Sequence, residues 1–271
     1  MVDKIISFVT DFFLTLPFLL AALTIAGAGG QVCKHGNRAA SSRCGTADLL
    51  EQFGVAIDLG PEGVARSVAE AGIGFCLAPR YHSAMRFAGP ARREMGIPTV
   101  FNFLGPLANP ARVTRQVTGV SDPAMAERLC AVLGDNGAER AMVVYGHDGL
   151  DELTVTTTST VHELRDGTVQ RYDVDPSALG LGIGTMDDLR GGDPVRNAEL
   201  AREVLGGGSG PQADIVALNA AAGLVVAGLA DDLPAGLELA KASLDGGRAA
   251  AALDSLVEVS QAAKRAEDAA G

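Results

Sequence analysis

The sequence predicts an α/β protein with a mostly parallel central sheet flanked by helices. Short apolar runs alternate with helical segments along most of the chain, the pattern of strand and crossover helix. Thirty-four glycines among 271 residues suit tight turns at strand ends. With 47% hydrophobic and 20% charged residues, the composition is that of a globular protein able to bury a core. The length fits one large domain or two modest ones. The expected organisation is a divergent apolar segment over residues 1–18 followed by an α/β domain over residues 19–271.

A net charge of −11 argues against non-specific nucleic-acid binding, which needs Lys and Arg to neutralise phosphates. It leaves room for a small polyanion, because Lys34, His35, Arg38 and Arg43 form a local basic cluster. Cys33, Cys44, Cys76 and Cys130 make no C-x-x-C pair, so they are expected to be small buried side chains in a reducing, cytoplasmic setting.

Residues 5–30 are nearly all apolar and raise the question of a membrane span or leader. Asp11 and Pro17 interrupt the run, and its second half is rich in Ala and Gly. The alternative is a core helix leading into a strand; for residues 19–33 that alternative is the one expected, on the resemblance given below, which resumes around Ala21-Ala22, and membrane association is not expected.

Gln31 to Lys34 is a short buried strand, followed by a polar loop to Cys44. Thr46 to Phe53 is helical, with Thr46 or Ser42 as its N-cap and Gly54 as its stop. Pro61 opens a helix to Ala71, Gly74 to Leu77 is a strand, and Tyr81 to Met95 a helix. Pro98 to Phe103 is a strand running into the stiff loop Gly105–Pro110. Pro123 to Gly134 is a helix, and Arg140 to Tyr145 a strand. Residues 158–164 and 168–174 alternate as a hairpin turned at Asp166-Gly167. Residues 194–205, 211–230 and 233–263 are helical, the last with a break at Asp245-Gly246-Gly247.

Four stretches carry candidate chemistry. KHGNRAAS, Lys34 to Ser41, follows a strand and precedes a helix, as an anion cradle would. Asp151-Glu152 follows a glycine-containing loop after the strand AMVVY, a fit for Mg²⁺, which takes oxygen ligands. Arg92-Arg93 on the helix after His82 offers a guanidinium for a carboxylate. FNFLGPLANPA, residues 101–111, can press rigid backbone against a flat ligand.

KHGNRAAS, GTADLLEQFG (45–54), FNFLGPLANPA, GLDELT (149–154) and LNAAAGLVVAG (218–228), in this order, resemble anthranilate phosphoribosyltransferases. The resemblance runs from about residue 19 to the C-terminus. It implies a nucleoside phosphorylase/phosphoribosyltransferase-like fold, with the family's small helical domain largely missing here. It also implies transfer of phosphoribosyl from phosphoribosyl pyrophosphate to the amine of anthranilate, in tryptophan biosynthesis, with Mg²⁺. Lys34, Ser41 and Thr46 would face phosphoribosyl pyrophosphate. His35, Asn37, His82, Arg92 and Gly105 would face anthranilate, and Asp151 and Glu152 would hold the metal. The resemblance also implies a homodimer, supported in the family by an initial helical segment that is not found in this sequence.

The N-terminal stretch departs from the pattern. The glycine-rich GTGGDG loop and N-x-S-T motif of the family belong within residues 1–20, where the sequence runs DKIISFVTDFFLTLPFLL. Bulky side chains cannot give the close backbone approach that glycine gives a pyrophosphate, and Asp11 is no substitute. The expectation is an impaired transferase; the alternative is a non-catalytic anthranilate-binding paralogue. A shifted frame or misplaced start would produce such a junction, and an intact GTGGDG in another upstream frame would identify it. Ser83 stands where the family usually has Pro, a minor departure.

Overall fold

The computed structural model describes residues 5–9, 15–39, 44–95 and 101–270, with side chains from Leu16 onward except at 89–93, 101 and 102. Its centre is a seven-stranded sheet in the order β3-β2-β1-β4-β5-β6-β7. The strands are β1 (Ile5–Val9), β2 (Gln31–Gly36), β3 (Ile73–Leu77), β4 (Arg115–Gly119), β5 (Arg140–Gly146), β6 (Ser159–Arg165) and β7 (Thr168–Val174). The first five are parallel, and β6 and β7 add an antiparallel hairpin. Asp166 (φ 52°) and Gly167 (φ 73°) turn that hairpin at the expected dipeptide, both in the left-handed region that a two-residue turn requires.

The apolar N-terminal run divides between two elements. Its first part is β1, paired with β2 on one side and β4 on the other. Its second part is helix α1 (Thr15–Gly27), whose residues from Leu16 to Ile25 are all buried. Apolar on every side, α1 packs against the later helices α9 (Pro211–Ala227), α10 (Leu233–Asp245) and α11 (Arg248–Ala270). A helix that is hydrophobic all round belongs in a core, and α1 with α9 forms the main one. Among the described residues no helix is long and apolar enough to cross a membrane.

The remaining helices are α2 (Thr46–Gln52), α3 (Pro61–Ala71), α4 (Ala78–Tyr81), α5 (Met85–Met95), α6 (Phe101–Leu104), α7 (Pro123–Asp135) and α8 (Pro194–Leu205). Local chemistry sets their ends. The carboxylates of Asp122, Asp193 and Asp232 accept first-turn amides of α7, α8 and α10. Gly72 and Gly228 stop α3 and α9 in left-handed conformation.

Several expectations are corrected. Gly45, not Thr46 or Ser42, stands at the N-cap of α2; its amide donates to Asp48 Oδ2 at 2.8 Å, and Ser42 lies outside the described residues. The expected helix 81–95 is interrupted, because His82 leaves helical conformation (φ −120°, ψ 59°) between α4 and α5. The expected strand from Pro98 to Phe103 is not formed where it can be seen. Residues 98–100 lie outside the description, and Phe101–Leu104 is a helical turn. A short apolar run does not separate strand from helix by periodicity. Strand β4 was hidden by its polar start: Arg115 donates through Nη1 to the Val226 carbonyl and Gln116 through Nε2 to the Pro106 carbonyl, so both side chains find partners within the fold. The four cysteines are buried and free, as expected, but Cys33 and Cys76 on neighbouring strands bring their Sγ atoms to 3.7 Å. That hydrogen bond and burial push the Cys33 thiol up.

Candidate active site at the carboxyl ends of β2, β3 and β5

In a parallel sheet all carboxyl ends lie on one edge, and that edge collects the loops that bind ligands. Here the loops after β2, β3 and β5 bring most of the sequence-predicted residues there.

Lys34 and His35 are successive on β2, so their side chains leave the sheet on opposite faces. His35 turns to the face shared with the loop after β3. Its ring meets that of His82 edge-on, centroids 5.0 Å apart at 72°. The backbone of Gly105 hydrogen-bonds the His35 ring. Burial above all, then the positive fields of His82 and Lys34, hold the His35 imidazole down to about 4 against the Gly105 bond. His35 is therefore neutral at pH 7. The Nε2 atoms of His35 and His82 are buried without hydrogen-bond partners. Two orphaned ring nitrogens beside one rigid loop make a half-site suited to a flat polar ligand.

Asn109 fixes that loop against the sheet. Its amide donates to the Cys33 carbonyl at 3.1 Å, while its Oδ1 accepts from Ala111 N at 2.9 Å. Asn37 is exposed at the loop mouth, where its Oδ1 accepts from Arg38 N. Arg38 in turn grips Glu51 of α2, and Asp48 accepts from the amides of both Ala39 and Gly45. These bonds tie Arg38 and Ala39 of the loop, and the Gly45 amide, to Asp48 and Glu51 of α2. Thr46 is buried at the start of α2, and the Asn37 carbonyl accepts from Ala47 N at 3.2 Å.

Lys34 turns to the α1 face. It is 1% exposed, and its Nζ lies 6.0 Å from the centroid of the Phe18 ring. It acts electrostatically on Glu152, whose carboxylate is completely buried with neither oxygen hydrogen-bonded. Burial first, and then Asp151 and Asp148, push the Glu152 carboxyl well above its usual range; Lys34 pulls the other way. Asp151 is buried beside it. Asp148 is fully engaged, accepting from Leu150 N and from the hydroxyls of Thr154 and Thr156.

The donor set fits a hard cation. The orphaned buried oxygens of Glu152 lack a positive partner in hydrogen-bond contact, and Asp151 adds a second carboxylate. Among the described residues no three His, Cys, Asp or Glu side chains converge on a metal position. A cation held here needs further oxygens from a ligand, which is how Mg²⁺ is held where phosphates complete its shell.

Two residues that position this site were missed from sequence as contributors: Asn109 and Asn219. Asn219, wholly buried in α9, bonds both the amide and the carbonyl of Leu153 and so holds the loop carrying Asp151 and Glu152. A lone amide side chain in the apolar run ALNAAAGLVVAG was the available signal. Ser41, Arg43 and Asp11 lie outside the described residues; Arg92 and Arg93 are on α5, with their side chains outside the description.

Comparison with known proteins agrees with this architecture. A family model described as "Glycosyl transferase family, a/b domain" matches residues 18–250. An anthranilate phosphoribosyltransferase of Acidothermus cellulolyticus is 55% identical over 251 residues, 90% of this chain and 70% of the relative. One from Maricaulis maris is 50% identical over 240 residues, 89% of this chain and 71% of the relative. The crystal structure of the Thermus thermophilus enzyme superposes with a TM-score of 0.89 at 41% identity, covering 95% of this chain and 78% of that one. The Saccharomyces cerevisiae enzyme in complex with phosphoribosyl pyrophosphate and Mg superposes at 0.83 with 26% identity, covering 95% and 74%. By sequence and fold, the chain belongs to the anthranilate phosphoribosyltransferase family, a family of pentosyltransferases.

Proposed function

We propose that this chain binds anthranilate at the His35–His82–Gly105 half-site and phosphoribosyl pyrophosphate toward Lys34, as a tryptophan-biosynthetic transferase impaired on its donor side. The observation that carries the reading is the pairing of two half-sites at one sheet edge: orphaned imidazole nitrogens on one face of β2, and a buried Lys34 with two carboxylates on the other. Relatives support the ligands, since yeast structures of the family hold phosphoribosyl pyrophosphate with Mg and, separately, 4-fluoroanthranilate.

In this reading the aromatic amine attacks the ribosyl carbon as the carbon–oxygen bond to pyrophosphate breaks, and the amine gives up a proton. Such a transfer needs an oriented nucleophile and a neutralised leaving group more than a strong base. Neutral His35, with Nε2 open as an acceptor, orients the amine; His82, Asn37 and the Gly105 backbone flank the ring; Arg92 pairs with the carboxylate. Asp151 and Glu152 would hold Mg²⁺, which supplies positive charge to the departing pyrophosphate. Lys34, Ser41 and Thr46 line the donor side. No glycine-rich loop stands in residues 1–20 to wrap that pyrophosphate, and this supports impairment.

The test is calorimetry with anthranilate alone, followed by turnover with anthranilate, phosphoribosyl pyrophosphate and Mg²⁺. Saturable anthranilate binding with turnover about 100-fold or more below an intact relative is expected. Turnover at the relative's rate refutes the impairment. Binding with no turnover at all favours the non-catalytic paralogue, and absence of anthranilate binding removes the reading altogether.

A further inference from the structure

We infer that Phe18 is the residue that decides whether the donor side admits a phosphate, because its ring covers the ammonium of Lys34. The inference rests on the reading above, in which Lys34 faces the donor. Phe18 and Lys34 are each 1% exposed, and Nζ lies 6.0 Å from the ring centroid. A cation over an aromatic face is held there by the ring's quadrupole. Lys34 also meets the field of fully buried Glu152. A phosphate oxygen must come within hydrogen-bond distance of Nζ to use that charge, and it reaches an ammonium so enclosed only when the cover gives way. The cover is rigid. Phe18 sits in the first turns of α1, between buried Leu16 and Leu19, and α1 packs against α9, α10 and α11. The donor side is therefore closed by an added side chain, beyond any loss of glycine backbone around the leaving group. The occupant it disfavours is a pyrophosphate or phosphoribosyl pyrophosphate, and a smaller residue at position 18 opens the way to Lys34.

The experiment compares the full chain with Phe18→Ala and Phe18→Leu, each checked for a cooperative thermal melt. Brief labelling with acetic anhydride is read by peptide mass spectrometry, with half-buried Lys264, ion-paired to Asp268 at the surface, as the internal standard. Lys34 is expected to label at least tenfold more slowly than Lys264 in the native chain and in Phe18→Leu, which keeps a bulky cover. In Phe18→Ala it is expected to approach the Lys264 rate. Calorimetry with pyrophosphate and Mg²⁺ should then show saturable binding in Phe18→Ala at least tenfold tighter than in the native chain. Native labelling of Lys34 at the Lys264 rate overturns the inference, whether or not the alanine variant folds. So does unchanged protection, or unchanged pyrophosphate affinity, in a folded Phe18→Ala. Anthranilate titrated into the same samples separates the two ideas: binding that persists while position 18 has no effect sinks the inference alone, whereas no binding in any sample sinks the functional reading.

Discussion

Asn219 and Leu153 close a two-point hydrogen-bonded ring: the Asn219 amide donates to the Leu153 carbonyl at 2.8 Å, and Leu153 N donates to Asn219 Oδ1 at 3.0 Å. The same Nδ2 also donates to the Ile215 carbonyl at 2.9 Å. A fully buried side-chain amide thus imitates a strand edge and fixes the backbone one residue beyond Glu152. Replacing it with Leu leaves the Leu153 groups buried without partners, at about 2–4 kcal/mol of stability. Urea unfolding of Asn219→Leu should show that loss, and Mg²⁺ affinity should fall with it.

His35 imposes a pH dependence on the fold. Its folded value is held down to about 4, against 6.5 for the free imidazole. Between those limits the unfolded chain takes up a proton that the folded ring refuses. Stability from this group is complete above about pH 6.5 and is lost as pH falls toward 4, by at most about 3 kcal/mol. Urea midpoints of the native chain and His35→Gln, measured from about pH 7 to pH 5, should converge as the native chain weakens. Parallel curves would show that the ring is not so enclosed.

Glu152 works in the opposite direction. Its carboxyl is raised above the usual range by burial and by Asp151 and Asp148. Stability from keeping it protonated is present near pH 4.5 and lost as pH rises toward the folded value. Glu152→Gln should therefore gain on the native chain in metal-free buffer as pH increases. Added Mg²⁺ should raise the native melting temperature and leave that of the variant unmoved.

Arg92 carries the acceptor carboxylate in the proposed reading. Arg92→Ala should weaken anthranilate binding by about 2 kcal/mol, roughly 30-fold, through loss of a charge-assisted pair. Calorimetry with anthranilate and with its amide separates this role from a packing effect: the amide should bind both forms alike.

Much of this was legible because local chemistry and tertiary need agree. Pro61, Pro123, Pro194, Pro211 and their capping neighbours marked helix starts, and Asp166-Gly167 marked the hairpin. KHGNR after an apolar strand announced the sheet edge, and adjacent Asp151-Glu152 announced the carboxylate pair. What escaped depended on distant partners. β4 begins with Arg and Gln, whose side chains donate to the carbonyls of Val226 and Pro106. His82 leaves the helix between α4 and α5, which no periodicity reports. The nearness of Cys33 and Cys76 follows from strand register across 43 residues of chain. β1 was unreadable because a run of large apolar residues suits a buried strand and a buried helix equally.

That five-residue strand has a mechanical consequence. Ile6 pairs with Val32 on one flank and Arg115 on the other, so Ile5–Val9 is the plank joining the β2–β3 wing to the β4–β7 wing. Were it to detach, each wing would bare a row of unsatisfied amides and carbonyls facing its twin. Two such margins seek new neighbours in other molecules. A protease nick just ahead of α1 should therefore announce itself as turbidity before any loss of helical signal.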